Sequence, residues 1–480
     1  MKIDSRHHGR RVALLIDLVS SLLTLPFYYT FNYSIGCFFL TTGEKKNTSN
    51  IGRARDTLLV GPLLLTFSFA LLPLAFHGWL LWLLLNILAP SRPFSAVSST
   101  TTTPNAQKHQ TSFTFASMNV LLGAEIVNKF NNLGSTFARL REISDAILDQ
   151  SSTVLDNVSE WGEKLSKEQA ILAKFPHIDF ICFQEVFDRL QGLALARRLR
   201  SKYPHFILDV ADHRLSNNLC MLASGLAIAS RFPFLDVKFV PFTAKRGWHW
   251  CGCNGVLMCK MDLGEGRVGI LANLHMVAYQ GKEQLIALAL THVEEAIDEF
   301  RKEVVRPNES LEWEVIGGDY NCDNMSPGDR ACAEHSIFSN FKDPAMVRPG
   351  KDADWAVGTE PRQPTLHTPE MRNPDHFREI LVDDVRRRHY VLDAVVEEQT
   401  FDLMTIGPTS NKHGEVVAEE WGGMRRIDKL LFRCGSNFET TNRDQSCFRG
   451  SGVLAGAGTV SALAGRTDHI PVVLTLKTQT

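Results

Sequence analysis

Two long apolar runs open the chain and set its organisation. Residues 12–42 are apolar apart from Asp17, and residues 57–90 fall in an uncharged stretch dense in Leu, Phe and Trp. Both exceed the ~20 residues a membrane-crossing helix needs, so residues 1–91 read as a membrane region. Pro26, Pro62 and Pro73 stand inside the runs and predict bends there. Residues 92–110 are rich in Ser, Thr and Pro and read as a flexible linker. From 111 to 478 the periodicities become those of a folded body. Alternation or short apolar runs predict strands at 111–120, 178–183, 206–210, 223–229, 254–261, 267–275, 312–316, 427–432 and 470–476. Helical spacing marks 137–148, 188–202 and 282–300, the last with Ile286, Leu290, Val293, Ile297 and Phe300 on one face. Strands and helices alternate without a strict βαβ rhythm, which predicts an α/β sandwich with mixed sheets. Residues 344–425 are charged, irregular and Pro-rich, and read as a surface insertion.

Charge changes this picture in two ways. Lys and Arg total 51 against 53 Asp and Glu, a net charge of -2, which argues against a dedicated nucleic-acid binder. Locally, though, basic residues gather around the apolar runs. Lys2, Arg6, Arg10 and Arg11 precede the first, Lys45, Lys46, Arg53 and Arg55 separate the two, and Arg92 and Lys108 follow. With both flanks basic, the positive-inside rule gives no orientation for a spanning pair. The simplest arrangement keeps all three segments on the cytosolic side, with the runs dipping into one leaflet and returning. The basic gap would then meet anionic headgroups. Ten cysteines are too few for a disulfide framework, and the close pair Cys251-Gly-Cys253 lacks the partners of a zinc site.

Candidate chemistry sits at strand ends. Asn119 closes the first strand of the body. Glu185 follows a buried run in Phe183-Gln184-Glu185-Val186. Asp319 and Asn321 lie in Gly317-Gly318-Asp319-Tyr320-Asn321, and Asp468-His469 precedes the last strand. Each alone is more often a cap or a turn. Together, in this order, they supply what metal-assisted phosphodiester cleavage requires. Mg²⁺ takes hard oxygen ligands, which Glu185 with Asn119 beside it could offer. His469 suits the base that deprotonates water, with Asp468 to orient it. Asp319 and Asn321 alternate along one segment and are expected on the same side. Asn321 would donate to a phosphoryl oxygen while Asp319 supports the base or the water.

This set resembles the Mg²⁺-dependent endonuclease/exonuclease/phosphatase (DNase I-like) superfamily. More narrowly, the chain is similar to the membrane-attached neutral sphingomyelinases of animals. The matches are Thr41-Thr42-Gly43-Glu44-Lys45-Lys46, Asn131-Asn132-Leu133, Phe183-Gln184-Glu185-Val186-Phe187-Asp188, Asp343-Pro344, Trp355-Ala356-Val357-Gly358-Thr359, Arg426-Ile427-Asp428 and Thr467-Asp468-His469-Ile470-Pro471. The resemblance implies a DNase I-like four-layer α/β sandwich behind an N-terminal helical membrane region. It also implies hydrolysis of sphingomyelin to ceramide and phosphocholine. Mg²⁺ would be the cofactor, phosphatidylserine the activating lipid at Lys45, Lys46, Arg53 and Arg55, and the plasma membrane or Golgi the location. Asp428 enters as a further carboxylate.

Two positions depart from the family pattern. A His that contacts the phosphoryl group there is replaced here by Asn273, in Asn273-Leu274-His275, and His275 would need a local shift to substitute. A Lys-Gly, with an Asp five residues earlier, gates a loop in the family; here Asn254-Gly255 and His249 stand in those places. The departures leave two alternatives beside the sphingomyelinase reading: a catalytically weakened lipid-binding or scaffold relative, and a phosphodiesterase of the same fold acting on another phospholipid.

Overall fold

The computed structural model describes residues 2–4, 11–88, 93–98, 109–151, 155–157, 165–212, 222–243, 253–278, 284–395, 417–434 and 452–478. Its strands, in chain order, are β1 (Lys2–Asp4), β2 (Ser95–Ser98), β3 (Ser112–Leu122), β4 (Ile171–Leu172), β5 (Phe180–Val186), β6 (His205–Leu208), β7 (Ala227–Ser230) and β8 (Phe234–Pro241). They continue with β9 (Gly255–Gly264), β10 (Arg267–His275), β11 (Ser310–Asp319), β12 (Met346–Arg348), β13 (Lys351–Asp352), β14 (Asp428–Arg433), β15 (Gly452–Val460) and β16 (Val472–Thr478). A nine-stranded sheet runs β1-β2-β6-β7-β5-β3-β16-β15-β4, and a five-stranded sheet runs β14-β11-β10-β9-β8. Both are mixed: β3 pairs parallel with β5 and β10 parallel with β11, while most other neighbours are antiparallel.

The central strands are buried on both faces, and alternate side chains enter different cores, which fixes the layers. Phe113, Phe115, Phe180 and Leu474 of the larger sheet meet Leu271, Trp313, Leu430 and Phe432 of the smaller one in a single apolar core. The opposite face of the larger sheet, with Met118, Val120 and Phe183, is covered by Leu140, Ile143 and Ile147 of the Thr136–Leu148 helix and by Leu195 and Leu199 of the Arg189–Leu199 helix. The outer face of the smaller sheet, with Met258, Ile270 and Ile316, is covered by Ile286, Leu290, Val293 and Phe300 of the Leu285–Val304 helix. Helix, sheet, sheet, helix is the four-layer sandwich expected from sequence. It brings the C-terminal ends of β3, β5, β10 and β11 to one rim.

Two sequence expectations are corrected here, and one strand is added. Ser95–Ser98, read as tether, is a strand paired between β1 and β6. Its Ser and Ala side chains hide the pattern, and the larger sheet supplies the edge it completes. β15 was not anticipated because its sequence, Gly-Val-Leu-Ala-Gly-Ala-Gly-Thr-Val, reads as loop. Its glycines answer a close approach: a Cβ on Gly458 would lie 2.3 Å from the Ala170 carbonyl oxygen. Within the expected insertion, the described residues include the helices Pro374–Val382 and Asp384–Tyr390. These pack Phe377, Ile380 and Leu381 against Leu121, Leu133 and Ile470.

The apolar runs form a helical hairpin, Arg11–Phe38 against Gly61–Leu88. Pro26 and Pro73 lie inside these helices without ending them, so the reversal comes from residues 39–49 and not from proline bends. There Thr41 and Glu44 form a capping box. Small residues let the helices close: Ser20 Oγ donates to the Gly78 carbonyl at 2.8 Å and Ser34 Oγ to that of Gly61 at 2.8 Å. A side chain at 78 would strike Leu23, Thr24 and the Ser20 carbonyl. The hairpin also lies along the body. Arg189 pairs with Asp17 at 2.9 Å, Tyr29 Oη donates to Asp188 at 2.8 Å, Lys129 Nζ donates to the Gly36 carbonyl at 2.8 Å, and Thr42 N donates to Asn132 Oδ1 at 2.7 Å. Leu15, Leu18, Leu22, Leu63, Phe67 and Phe69 remain exposed on the hairpin.

Candidate active site

Parallel pairing of β3 with β5 and of β10 with β11 sets Asn119, Glu185, His275 and Asp319 beside one another, because His275 and Asp319 end their strands, and Asn119 and Glu185 lie just short of the ends of theirs, at the same rim. The chain turns sharply there. Leu121, Glu185 and Asn321 take left-handed backbone (φ 43°, 60° and 50°), which non-glycine residues seldom adopt. At Glu185 the turn is held by Val186 N donating to the Gly225 carbonyl at 2.8 Å.

Asn119 is the central tie. Its Nδ2 donates to Glu185 Oε1 at 2.8 Å and to Asp319 Oδ2 at 3.1 Å, while its Oδ1 accepts from Leu121 N at 3.2 Å. Facing the amide with its donors and acceptor so used, it positions two carboxylates. His275 Nε2 stands 3.7 Å from Glu185 Oε1 and 3.5 Å from Asp319 Oδ2. No local shift is needed to bring His275 in. On the other side of Asp319, His469 Nε2 lies 3.7 Å from Oδ2, and His469 Nδ1 donates to Asp428 Oδ2 at 2.9 Å. Two groups of potential metal-binding side chains result, Glu185–His275–Asp319 and Asp319–Asp428–His469, joined through buried Asp319. Oxygen-rich, with one imidazole in each, they fit a hard divalent cation.

Electrostatics follow from this crowding. Burial disfavours the His469 imidazolium, but Asp428 and Asp319 overcome it and hold the group charged well above the ordinary histidine range. Burial pushes the Asp468 carboxyl up to about 6, with Glu185 adding to the shift and His469 and Arg139 opposing it. Burial likewise raises Asp428, against the pull of His469.

The structure departs from the sequence reading at three residues. Asn273 is fully buried, and its amide is spent on the sheet interface. Nδ2 donates to the carbonyls of Phe183 (2.8 Å) and Ala227 (2.9 Å), and Oδ1 accepts from Gln184 Nε2 (2.7 Å). It has no hydrogen left for a phosphoryl group. Asn321 does not share a strand face with Asp319, since β11 ends at Asp319. Its N donates to Asp319 Oδ1 at 2.9 Å and its Nδ2 to the Met276 carbonyl at 3.0 Å, so it buttresses the aspartate. Asp428, and not Asp468, holds the His469 ring. Asn254 Nδ2 donates to the His275 carbonyl at 3.2 Å. His249, Arg6, Arg10, Arg92, Lys108 and Cys251 lie outside the described residues. Lys45, Lys46 and Arg55 are exposed at the hairpin turn, where Arg55 pairs with Asp56.

Motifs matched without a role now acquire one. Thr359 Oγ1 accepts from the backbone N of both Ile427 and Asp428 at 3.0 Å, and its carbonyl accepts from Ile470 N at 2.8 Å, so it aligns Asp428 with His469. Arg426 is clamped by Asp343 (2.8 Å) and Asp352 (2.9 Å), which fixes the same segment. Arg139 donates to the carbonyls of Leu121 (2.6 Å) and Arg466 (2.8 Å), tying the β3 end to the Thr467–His469 turn. Lone Arg and Thr residues in sequence give no such signal, because most of their partners are distant in the chain and many are backbone atoms.

No protein-family profile matches the chain. By sequence it is similar to sphingomyelin phosphodiesterase 5 of Danio rerio, 30% identical over 307 residues (62% of this chain, 52% of that protein). It is similar to sphingomyelin phosphodiesterase 3 of Homo sapiens at 27% over 324 residues (64% and 46%), and to sphingomyelin phosphodiesterase 5 of Mus musculus at 28% over 477 residues (96% and 91%). The chain spans about half the length of the first two and nearly all of the third. Among solved structures it is similar to sphingomyelinase C from Streptomyces griseocarneus, 13% identical, with a TM-score of 0.42 over 76% of this chain and 99% of that one. The resemblance carried by the motifs therefore extends to named sphingomyelin phosphodiesterases.

Proposed function

We propose that this chain is a membrane-attached sphingomyelin phosphodiesterase, releasing ceramide and phosphocholine by attack of water at phosphorus. The observation that carries the reading is Asp319, shared between the Glu185–Asn119–His275 group and the Asp428–His469 pair. Glu185 and Asp319 would hold Mg²⁺, with His275 beside them. Bound there, the cation would offset the buried carboxylates and polarise the phosphoryl oxygens of the substrate. The protein does the rest. With a cation offsetting Asp319, one of the carboxylates that hold His469 charged, the ring would act in its neutral form: Nδ1 donates to Asp428 and Nε2 faces the site, the tautomer a general base requires. His469 takes the proton of the attacking water through Nε2 and returns one to the leaving ceramide oxygen. Asn119 ties the two carboxylates together through its Nδ2 and so fixes their orientation. His275 Nε2 is placed to donate to a phosphoryl oxygen, which supplies the role that Asn273 cannot.

Membrane attachment through the hairpin, lying in one leaflet, is part of the proposal. Asp17 and Gly36, 19 residues apart in one helix, both contact the same folded body. That separation is roughly 28 Å of helix, about the full hydrocarbon thickness. A helix crossing the bilayer could not touch one water-facing body at both ends, whereas a helix lying in the interface can. Lys45, Lys46, Arg53 and Arg55 would then meet phosphatidylserine on the cytosolic face.

Hydrolysis of sphingomyelin vesicles in ¹⁸O-water tests the chemistry. The label is expected in phosphocholine. Label in ceramide, or no hydrolysis with Mg²⁺ present, would overturn the reading.

A further inference from the structure

Exposed apolar side chains of the body lie along its seam with the first apolar helix. Val127 and Phe130, the latter 59% exposed, stand three residues apart on the Glu125–Phe130 helix and so share a face. Phe137 and Leu190, near the starts of the Thr136–Leu148 and Arg189–Leu199 helices, are exposed as well. Hairpin contacts lie beside them. Arg189, next to Leu190, pairs with Asp17 at 2.9 Å. The Phe137 ring lies 6.4 Å from that of Tyr29, and the Phe130 ring 4.9 Å from that of exposed Phe39. At Phe39 and Phe130 the apolar surface of the hairpin thus continues onto the body. Local hydrogen bonds hold Phe130 outward. Glu125 accepts from Ser135 N at 2.8 Å and from Thr136 Oγ1 at 2.7 Å, and Leu133 N donates to the Asn128 carbonyl at 2.8 Å, which fixes this helix to the body.

Charge identifies the occupant of this face. Lys129, next to Phe130, pairs with Glu44 at 2.9 Å, which sets the hairpin turn and its exposed Lys45 and Lys46 beside the patch. Apolar side chains bordered by lysines suit an anionic bilayer surface. A second copy meeting the same face across a two-fold axis would bring like charges toward one another. The patch is also tied to the chemistry. The Glu125–Phe130 helix follows β3 and the Arg189–Leu199 helix follows β5, so both apolar elements leave from the strand ends that carry Asn119 and Glu185. We propose that the body itself enters the leaflet. Val127, Phe130, Phe137 and Leu190 bury among the lipids beside the hairpin and hold the Asn119–Glu185 rim at the membrane surface. The proposal rests on the reading above that the hairpin lies in one leaflet. A lipid headgroup then reaches the rim while its chains stay in the bilayer.

Photocrosslinking of the full chain on vesicles of phosphatidylcholine and phosphatidylserine is the test. Benzoylphenylalanine replaces one exposed residue at a time: Phe130, Phe137, Phe67 on the hairpin, or Leu288 on the helix that covers the smaller sheet. Mass spectrometry then reads whether each position has captured lipid or protein. Lipid adducts are expected at 67, 130 and 137 and not at 288. Lipid captured at 67 but not at 130 or 137 would overturn the proposal and leave the hairpin reading in place. No lipid at 67, 130 or 137 would remove both. Equal lipid yield at 288 would make the contact non-specific, and a crosslinked dimer at 130 would give the face to a second copy; either overturns the proposal. In a second arm the Val127→Ser/Phe130→Ser pair makes the patch polar. The lipid yield at 137 should then fall about tenfold, while that at 67 holds; an undiminished yield at 137 would overturn the proposal. The readout involves no turnover, so its failure and a failure of sphingomyelin hydrolysis are separate results.

Discussion

Replacing Asn273 with Ala separates two accounts of that residue. A phosphoryl contact, expected from the motif, would leave the fold intact and damage catalysis. The structure instead shows a fully buried amide joining Phe183, Ala227 and Gln184 between the two sheets. The variant loses three buried hydrogen bonds, each worth roughly 0.5–1.5 kcal/mol, with a further cost where a partner is left unsatisfied. Gln184 Nε2 retains Ser117 Oγ at 3.2 Å, so its loss is partial. The sum is roughly 3–5 kcal/mol. At about 2 °C per kcal/mol for a large domain, Tm should fall by on the order of 5–10 °C. Calorimetry gives Tm, and phosphocholine release measured well below it gives kcat/KM, expected within about threefold of the unchanged chain because no substrate contact is lost. An unchanged Tm with a fall in kcat/KM of about a hundredfold or more would refute the reasoning and return Asn273 to the active site.

Asp428→Asn removes the charge that holds the His469 ring at 2.9 Å and should lower kcat/KM by about 10²–10⁴, as loss of an orienting carboxylate does elsewhere. That carboxylate raises the His469 pKa, so its loss should also move the acidic limb of the pH–rate profile to lower pH; a limb that moves upward would contradict the assignment. Asp329, buried beside Asp323 and Arg425, is pushed up to about 7 first by burial and then by Asp323. A carboxyl raised on folding contributes stability at low pH that is lost as pH rises through that value. Tm of the unchanged chain should therefore fall relative to Asp329→Asn as pH rises from about 4 to 7 and level off above that, which thermal scans at several pH values would check. Replacing Lys45, Lys46, Arg53 and Arg55 together should weaken the dependence of activity on phosphatidylserine by roughly 1 kcal/mol per charge lost near the surface; an unchanged lipid titration would remove these residues from recruitment.

Much of the framework was readable because it rests on local periodicity. The 3.6-residue spacing of Ile286, Leu290, Val293 and Ile297 survives burial intact, and the 267–275 strand was read at its observed limits. Glu185, Asp319 and His469, singled out at strand ends beside glycine or short polar turns, lie together at one rim of the sandwich. What failed involved distance in sequence. Asn273 and Asn321 carry suitable side chains, but only the packing of Phe183 and Ala227, and the end of β11 at Asp319, decide what those amides bond. Likewise, Thr359 orders Asp428 through two backbone hydrogens. β15 was hidden because its glycines serve the approach of the Ala170 carbonyl and erase the hydrophobic alternation.

The most direct measurement compares the full chain with Glu185→Ala for phosphocholine release from sphingomyelin vesicles containing phosphatidylserine, with and without Mg²⁺. The account predicts Mg²⁺-dependent release by the full chain and a loss of about a hundredfold or more in the variant, with Tm little changed because Glu185 sits at a strained strand end. Equal release by both proteins, or none by a folded, membrane-bound full chain, would contradict it.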